Sequence, residues 1–396
     1  MAVSQMELPV ANTVNESNSD RNIEMTGRKI RPLAPGYTVE ADGLDESIWN
    51  QHLPRFADAN IFQTWSYAQI AEGEHNICNL VLRQHGEVVA IAQARVRQIP
   101  LLGAGVAYIR SGPLWRLQDR APDVEVFRQV IRALRNELVC RRGLALRLYP
   151  RIFTEDALNL GSILVEEGFV EAKEERQERT ILMDLKPSLE ELRAGMPRHG
   201  RSNLRNAERQ DLEIVEGCEE ELFDRVLTLY SEMIARKKIV KSIDPKEFKR
   251  IQQRLPDALK MRIILCSLQG EPCAGVIFSR IGETGIPLVA ATGDNGLQCR
   301  ASFLVQWQMI ASFKNMGASI YDMNGINPKK NPGSYSFKKD ISGKYGREVS
   351  YQGRFDAAPD RMSRILLHLA DWLKRRHREG KRPRAARAQK QEPLSH

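Results

Sequence analysis

One segment near the end of the chain carries most of the residues whose types suit catalysis. It begins with Tyr321-Asp322-Met323-Asn324-Gly325-Ile326 and continues to Gly346 through several prolines and glycines. Its lysines are Lys329, Lys330, Lys338, Lys339 and Lys344, with Asp340 as the one acid between residues 327 and 344. We predict a flexible glycine-rich loop whose amines and backbone N–H groups bind phosphate or a developing oxyanion. The alternative is an ordinary solvated surface loop.

Lys338 is the candidate catalytic residue of this segment. The chain shows no serine–histidine–acid or cysteine–histidine arrangement that spacing singles out, so a covalent intermediate is not required. For attack of an amine on an ester or thioester, one well-placed oxyanion donor is worth about 3–4 kcal/mol. Phe337 would anchor the loop in an apolar pocket, whereas Tyr321 and Asp322 end a strand, where α/β active sites open. The alternatives are a surface lysine at position 338 and ordinary strand-end capping by Asp322.

A polar helix is predicted over residues 197–211. Arg201, Arg205 and Arg209 recur every four residues and share one face, where like charges cost an isolated helix about 0.2–0.5 kcal/mol per pair. A bound polyanion would offset this repulsion, so Arg201 and Arg205 are candidate substrate-binding residues. Nearby acids such as Glu208 offer a local alternative.

The chain contains the same order of predicted elements twice. Each copy has a β-hairpin, a further strand, an amphipathic helix and a short strand. The first copy lies at residues 79–97, 105–110, 123–142 and 144–149, and the second at 262–281, 285–292, 302–316 and 318–323. The repetition predicts an α/β fold of two similar units, each with a mixed β-sheet and flanking helices.

Composition and charge narrow the class of protein. Of the 396 residues, 42% are hydrophobic and 28% are charged, which is typical of a soluble globular protein. The net charge of +9 is concentrated at the end, because residues 374–396 hold nine Lys or Arg and two Glu. The rest of the chain is close to neutral, which argues against broad nucleic-acid binding by the folded body.

No segment is apolar and long enough to cross a bilayer, and the six cysteines form no Cys-x-x-Cys pair. We therefore expect a cytoplasmic protein with reduced thiols and no metal site. In residues 357–378, Ile365, Leu366, Leu369 and Trp372 recur at helical spacing and are expected to pack on the folded body. The predicted divisions are a disordered leader at 1–36, a first unit at 37–175, a second unit with the active-site loop at 176–356, the helix at 357–378 and a basic disordered tail at 379–396.

Several blocks in a fixed order give a family resemblance between about Asp45 and Asp356. With the duplication, they make the chain resemble the Fem-type aminoacyltransferases, which build interpeptide bridges in peptidoglycan. The blocks are Phe62-Gln63-Thr64 with Tyr67, Tyr108-Ile109-Arg110-Ser111-Gly112-Pro113, Leu146-Arg147-Leu148-Tyr149-Pro150, Gly168-Phe169, Thr180-Ile181-Leu182-Met183-Asp184-Leu185, Arg201-Ser202-Asn203-Leu204-Arg205-Asn206-Ala207, and Tyr321 to Ile326 with Phe337-Lys338.

The resemblance implies two tandem GNAT-like (acyl-CoA N-acyltransferase-like) domains and aminoacyl transfer from aminoacyl-tRNA, or acyl transfer from a related donor, to an amine. It also implies substrate-binding roles for two sets of residues, Gln63, Tyr67, Arg110 and Gly112 in the first unit and Tyr321, Asp322, Asn324 and Phe337 in the second. Arg110 would face the acceptor groove, and the alternative is that it simply pairs with a carboxylate. Gln69 and Ala71 stand where the family has a phosphate-binding lysine, and Asn324 stands where glycine is common. These departures fit the family's branch in exopolysaccharide and envelope gene clusters at least as well as the bridge-forming branch.

Three functions are therefore open from the sequence. The first is transfer of an activated acyl group onto an amine of a cell-envelope or exopolysaccharide precursor. The second is a GNAT-type N-acyltransferase that uses acyl-CoA, although its coenzyme A loop is at best degenerate in Gln298-Cys299-Arg300-Ala301. The third is an inactive module that binds an anion. The basic tail would hold the protein against anionic lipid at the inner membrane face, unless it is merely solvated.

Overall fold

The computed structural model describes residues 29–73, 76–99, 104–172, 178–237 and 244–380. Two mixed seven-stranded sheets flanked by helices lie within them, which confirms the predicted α/β fold of two units. The strands are β1 (Tyr37–Ala41), β2 (Ile77–Gln84), β3 (Glu87–Ile99), β4 (Ala104–Arg110), β5 (Ala145–Tyr149), β6 (Val170–Glu171), β7 (Arg179–Asp184), β8 (Leu212–Gly217), β9 (Arg262–Leu268), β10 (Glu271–Arg280), β11 (Thr284–Thr292), β12 (Ile320–Asp322), β13 (Gly346–Ser350) and β14 (Phe355–Ala357).

Helices cover the sheets and connect their strands. They are α1 (Glu46–His52), α2 (Trp65–Glu72), α3 (Val124–Leu134), α4 (Leu160–Glu166), α5 (Leu189–Gly195), α6 (Arg198–Glu208), α7 (Glu220–Lys237), α8 (Pro245–Arg254), α9 (Asp294–Gln298), α10 (Ala301–Asn315), α11 (Pro332–Ser342) and α12 (Arg361–Gly380). The predicted helix at 123–142 is α3 followed by a π-helical turn, Arg135–Arg141, and the one at 302–316 is α10.

The two sheets share one plan. The first has the order β1-β2-β3-β4-β5-β14-β6, and the second has the order β13-β7-β12-β11-β10-β9-β8. Each contains one parallel pair, β4 with β5 and β11 with β12, because a helix carries the chain back between those two strands. Ligands of α/β sheets bind at the carboxyl ends of parallel strands, so each unit offers one such edge.

Both predicted β-hairpins are confirmed, and their turns explain their register. His85 and Gly86 join β2 to β3 with positive φ angles of 48° and 86°. Gln269 and Gly270 join β9 to β10 with φ angles of 52° and 82°. A two-residue hairpin turn with both residues in this region matches the twist of the strands that it joins.

The units share a hydrophobic core. Along β9 and β10, side chains alternate between the two faces of the sheet. Ile263, Leu265 and Ile277 point into the core that also contains the first unit's apolar side chains. Residues between them, such as Ile264 and Val276, point into a second core under α10. One face of the second sheet therefore closes the core of the first unit.

Backbone contacts also cross between the units. The N–H of Gly282, in the turn between β10 and β11, donates to the carbonyl of Ala59 at 3.0 Å. A Cβ atom on Gly282 would lie 2.2 Å from the carbonyl oxygen of Ala57, so only glycine fits there. In addition, β14 returns to the first sheet between β5 and β6, and the predicted end of the second unit at 356 falls within this strand.

The described part of the predicted leader contacts the first unit. Arg31 donates from its backbone N–H to the side-chain oxygen of Asn136 at 3.1 Å and from its guanidinium to Glu167 at 3.2 Å. These contacts hold residues 29–36 against the π-helical turn after α3 and the end of α4. Residues 1–28 and the tail residues 381–396 lie outside the described part of the chain.

The last described helix, α12, is attached to the first unit by a buried ion pair. Both terminal nitrogens of Arg147, on β5, contact the carboxylate of Asp371 at 2.7 and 2.6 Å. Arg354 donates to the same carboxylate at 2.9 Å, and Leu367 is buried one turn earlier. The ion pair therefore selects the face of α12 that meets the protein.

The predicted packing face of this helix was wrong. Ile365, Leu369 and Trp372 are exposed, whereas Leu367 and Asp371 face the first unit; the side chain of Leu366 is outside the described part. Periodicity found the helix but not its orientation, because a buried arginine requires an acidic partner more strongly than exposed apolar side chains require burial.

We expect Asp371→Asn to lower the free energy of unfolding by about 3 kcal/mol at pH 7, because buried Arg147 would lose its closest anion and keep only Asp356, at 3.7 Å. Burial alone would raise the pKa of Asp371, but hydrogen bonds from Arg147 outweigh it and hold the pKa below its usual value. Stability from such a depressed pKa is present above the unfolded-state value near 4 and is lost as pH falls through the folded-state pKa.

The difference in the free energy of unfolding between the parent and Asp371→Asn should therefore become smaller at acidic pH. Urea unfolding at several pH values measures it, with Asp119→Asn as a control, because Asp119 pairs with Arg120 on the exposed surface. Equal stability of parent and Asp371→Asn at pH 7 would contradict the anchoring role.

Candidate active site

A cleft of about 430 Å³ lies where the two units meet. It opens at the carboxyl ends of β4, β5 and β12, the edges at which α/β sheets bind ligands. Its described lining consists of Phe62, Arg95, Tyr108, Ile109, Arg110, Ser111, Tyr149, Pro150, Arg151 from the first unit and Glu178, Ile286, Asp322, Asn324, Gly325, Tyr351, Gly353 from the chain that follows. Both units therefore contribute to one site.

Asp322 forms the centre of the cleft floor. It ends β12 and is buried, and its carboxylate accepts hydrogen bonds from the Thr180 hydroxyl at 2.5 Å and from the Arg151 guanidinium at 2.8 Å. The same carboxylate also accepts from the Tyr351 hydroxyl, and from the backbone N–H of Asn324 at 2.9 Å. A buried carboxylate needs this many donors because it has lost its water. The Asn324 contact is a local strand-end cap, the alternative for Asp322, whereas the other three donors come from distant parts of the chain.

The charges around Asp322 are fixed by their burial and pairing. Burial alone would lower the pKa of Arg151, but the oxygens of Tyr351 and Asp322 outweigh it, so the pKa of Arg151 is raised. Burial and the Asp322 carboxylate raise the pKa of Tyr351. At neutral pH Arg151 is therefore a cation and Tyr351 a neutral donor.

Lys338 lies next to the rim of the cleft and supports it. Its amine donates to the backbone carbonyls of Asn324 at 3.0 Å and Gly325 at 2.8 Å, and it is absent from the described residues that line the cleft. Burial lowers the pKa of Lys338 to about 8, and the charge of Asp322 opposes this change. The structure thus brings the predicted catalytic lysine within one peptide unit of the cleft and leaves its role as an oxyanion donor a prediction.

The prediction of a long flexible loop was wrong for its second half. Residues 332–342 form α11, because Pro332 occupies its first turn and the Asn331 side chain accepts from the N–H of Ser334 at 3.3 Å. Lys338 therefore projects from a helix, and Gly343 follows the helix end with a positive φ. Proline and glycine marked the two ends of a helix here rather than a loop.

Three other predicted residues, Asn324, Phe337 and Tyr321, lie in or near the Asn324–Gly325 rim of the cleft. Asn324 adopts a left-handed φ of 60°, and its carbonyl also accepts from Thr180 at 3.1 Å. Phe337 packs edge-on against Phe303 at a centroid distance of 4.9 Å. Tyr321 is buried, and its hydroxyl donates to Gln306 on α10 at 2.7 Å. Of these three, Asn324 lines the cleft, whereas Phe337 and Tyr321 pack against α10.

The predicted residues of the first unit form the opposite wall. The Arg110 guanidinium lies 4.0 Å from the Phe62 ring centroid and donates to the Tyr67 hydroxyl at 2.9 Å. Gln63 is buried and donates to the carbonyl of Arg110 at 2.8 Å, and a Cβ on Gly112 would lie 2.7 Å from the Gln63 side chain. Arg110 therefore faces the cleft. Gln63, Tyr67 and Gly112 hold the end of its strand, β4, in place.

Arg201 and Arg205 lie elsewhere. Arg201 donates to the carbonyls of Ala194 at 3.0 Å and Met196 at 2.5 Å, which close the preceding helix α5. Arg205 is exposed on α6, which packs on α10 and α11. Neither arginine is among the described residues that line the cleft. The carbonyl contacts offset part of the like-charge repulsion at Arg201, and anion binding by the two arginines stays a prediction.

Sequence reasoning missed Arg151, Tyr351 and Glu178 as site residues. Arg151 follows Tyr149-Pro150 at the end of a buried strand, a position that could have singled it out. Tyr351 and Glu178 are far apart in sequence but adjacent in the fold, where the Tyr351 N–H donates to the Glu178 carbonyl at 2.8 Å. Their spacing of 173 residues gave no local signal.

A second cavity of about 380 Å³ lies on the other side of Arg151. Asp58 lines it and accepts from the backbone N–H groups of Trp115 at 3.1 Å and Arg116 at 3.3 Å. Burial raises the pKa of Asp58 to about 6 against the effect of these hydrogen bonds. Arg151 thus separates two cavities, and Ser111 borders both.

Two mixed sheets that share a core, with a cleft at the ends of their parallel strands, define a tandem GNAT-like fold. The crystal structure of FemX has this fold and superposes with a TM-score of 0.69 at 14% identity, covering 83% of this chain and 99% of that one. A conserved protein of unknown function from Bacteroides thetaiotaomicron VPI-5482 gives 0.52 at 11% identity, covering 81% and 99%. The predicted Fem-type resemblance is confirmed at the level of the fold.

Sequence comparison adds nothing further. The chain matches no protein-family model, and no curated protein is significantly similar to it. Within the described ranges, no group of three or more His, Cys, Asp or Glu side chains is arranged to hold a metal ion. The function therefore has to be argued from the fold and the cleft.

A double-mutant cycle tests the cleft floor. Arg151→Met should lower the free energy of unfolding by about 3 kcal/mol or more, because Asp322 would keep a buried charge without its cation. Combining it with Asp322→Asn should cost about 1–3 kcal/mol less than the sum of the two single changes. Denaturant unfolding of all four proteins measures this coupling.

The control cycle uses Arg193 and Glu208, a pair with side chains 38% and 30% exposed. Its coupling should stay below about 1 kcal/mol because solvent screens such pairs. If the Arg151 and Asp322 changes are simply additive, the pair does not hold the floor.

Proposed function

We propose that the protein is an acyltransferase that joins an activated acyl group to a primary amine in the cleft. The donor would be an aminoacyl-tRNA or a related activated acyl compound, and the acceptor an amine of a cell-envelope or exopolysaccharide precursor. The observation that carries this proposal is one cleft, built by both units of a FemX-like fold, at the carboxyl ends of β4, β5 and β12. Two walls allow donor and acceptor to approach the same point from opposite sides.

The proposed reaction forms a C–N bond and breaks the ester C–O bond, or the C–S bond of a thioester. The amine nitrogen attacks the carbonyl carbon, the oxyanion collapses, and the leaving oxygen or sulfur takes the proton that the amine loses. Glu178, exposed at the cleft, offers a carboxylate to hold the acceptor amine. Arg110 and Arg151 provide positive charge on the walls for the developing oxyanion.

Lys338 acts on the same oxyanion in this proposal. A lysine ammonium has three N–H donors, and the carbonyls of Asn324 and Gly325 take two of them. The third remains for an oxygen of the tetrahedral intermediate when a substrate occupies the rim. The ammonium also holds the rim in shape, so its removal affects both position and charge.

An acyl-CoA donor is the second candidate, and the start of α10 favours it. Arg300 has a left-handed φ of 59° directly before Ala301, and its own side chain makes no capping hydrogen bond to this helix. Uncapped N–H groups at a helix start bind phosphate oxygens well. An inactive anion-binding module is the remaining alternative.

Direct transfer assays separate these functions. We would incubate the full-length protein with charged tRNA or with acyl-CoA, in the presence of a muropeptide or an amino sugar, and measure acyl addition by mass spectrometry. We expect mass addition on the amine with one donor class. Folded protein that transfers from neither donor would favour the inactive module, and transfer from acyl-CoA alone would establish the second candidate.

Lys338 gives a sharper prediction for the active enzyme. Lys338→Met should lower kcat by about 100-fold or more, because one oxyanion donor is worth a few kcal/mol. The matched control is Lys329→Met, which changes an exposed lysine of the same segment and should leave kcat within about threefold. Lys338→Met turnover equal to the control would remove Lys338 from the mechanism.

The dependence of activity on pH distinguishes the effect of the Lys338 charge from its effect on the shape of the rim. Because the pKa of Lys338 is about 8, the activity of the parent should fall as pH rises through 8, where the ammonium loses its charge. In Lys338→Arg the guanidinium stays charged to above pH ~12, so this descending limb should disappear within the measurable range. An unchanged limb in Lys338→Arg would assign the titration to another group.

A further inference from the structure

Helix α12 presents an apolar stripe to solvent. Met362, Ile365, Leu369 and Trp372 are 65, 56, 48 and 45% exposed, respectively. Their spacing of three, four and three residues places them on one face of the helix. Exposed apolar side chains arranged along one face, rather than scattered singly, mark an interaction surface.

This stripe cannot turn inward to be buried by the first unit. Leu367 and Asp371 lie on the opposite face of α12, and Asp371 is held by Arg147 and Arg354. Turning the helix over would break this buried ion pair and leave Arg147 with only the more distant Asp356, at 3.7 Å. The outward orientation is therefore a fixed property of the fold.

Positive charge borders the stripe. Arg361 and Arg364 are exposed in the first turn, and the guanidinium of Arg376 lies 4.4 Å from the ring centroid of Trp372. Residues 374–396 carry nine Lys or Arg and two Glu, whereas the rest of the chain is close to neutral. Apolar side chains edged by cations and an aromatic ring match the interface between anionic headgroups and acyl chains.

Other occupants fit less well. An RNA would use the cations but not the exposed isoleucine and leucine, because nucleic-acid backbones are bound through charge. A second copy of the chain would cover the stripe but would bring two strongly basic ends together, which like-charge repulsion opposes. The combination of charge and apolar surface favours lipid.

We propose that α12 lies in the plane of an anionic membrane surface, with this stripe inserted at the level of the acyl-chain boundary and its arginines on lipid phosphates. In the described part of the chain, no helix is long and apolar enough to cross a membrane. The proposal concerns where the protein is held, and it does not depend on which acyl group or amine is used. The first unit then faces the membrane through the Arg147–Asp371 attachment.

The test uses the full-length protein and sedimentation with vesicles. Phosphatidylcholine vesicles that contain phosphatidylglycerol should bind the parent, whereas pure phosphatidylcholine should bind it at least about tenfold more weakly. Ile365→Ser combined with Leu369→Ser should weaken binding to the anionic vesicles by at least about tenfold, because inserted apolar surface is lost. Bromine-labelled acyl chains should quench the parent's fluorescence, and Trp372→Phe should remove that quenching.

The matched control replaces two exposed valines elsewhere. Val165→Ser combined with Val170→Ser removes side chains that are 56 and 54% exposed in the first unit, and should leave vesicle binding unchanged. Both double variants should melt within a few degrees of the parent, because none of the four side chains is buried.

Three results would overturn the proposal. Unchanged vesicle binding by the Ile365→Ser, Leu369→Ser variant would show that charge alone attracts the protein. A parent dimer that this variant converts to a monomer would show that a second copy covers the stripe. Binding to RNA in preference to anionic vesicles would assign the basic region to nucleic acid.

Discussion

The buried ion pair between Arg151 and Asp322 fixes how the two units meet. Arg151 follows the last residues of β5 in the first sheet, and Asp322 ends β12 in the second. A separated pair would leave each buried charge without the opposite charge, at a cost of several kcal/mol, so the relative position of the two strand ends is tightly held. Tyr351 and Thr180 saturate the same carboxylate, which leaves it one arrangement.

The cleft is a consequence of this constraint. Because the carboxyl ends of the parallel strands from both sheets converge on one ion pair, the side chains that follow those strands face one another. Hydrogen bonds from Thr180 and Lys338 to its carbonyls then hold the Asn324–Gly325 turn. A preorganised arrangement of cations and backbone dipoles is the usual way for a protein to stabilise charge in a reaction without a covalent intermediate.

The fold could be predicted from the sequence because the patterns that define its strands, turns and helices are local. Two-residue turns at His85-Gly86 and Gln269-Gly270, and helices with one apolar face, predict the duplicated units without reference to long-range contacts. The site was only half predictable. Arg110, Asp322 and Asn324 were found from motif positions, whereas Tyr351 and Glu178 come together only through folding. Periodicity alone predicted the wrong packing face for α12. The face that packs is set by Asp371, which lies 224 residues from its partner Arg147.

The central claim is that acyl transfer takes place in the cleft between the units. Gly325 lines it and Gly333 lies in the first turn of α11, and at both a Cβ would meet open space without a left-handed backbone. Both Gly325→Phe and Gly333→Phe should therefore fold, but only the first fills the cleft. The most direct measurement is the initial rate of acyl transfer to the amine by these two variants. We predict that Gly325→Phe loses at least about 100-fold in rate and Gly333→Phe stays within about threefold of the parent; a fully active Gly325→Phe enzyme would contradict the account.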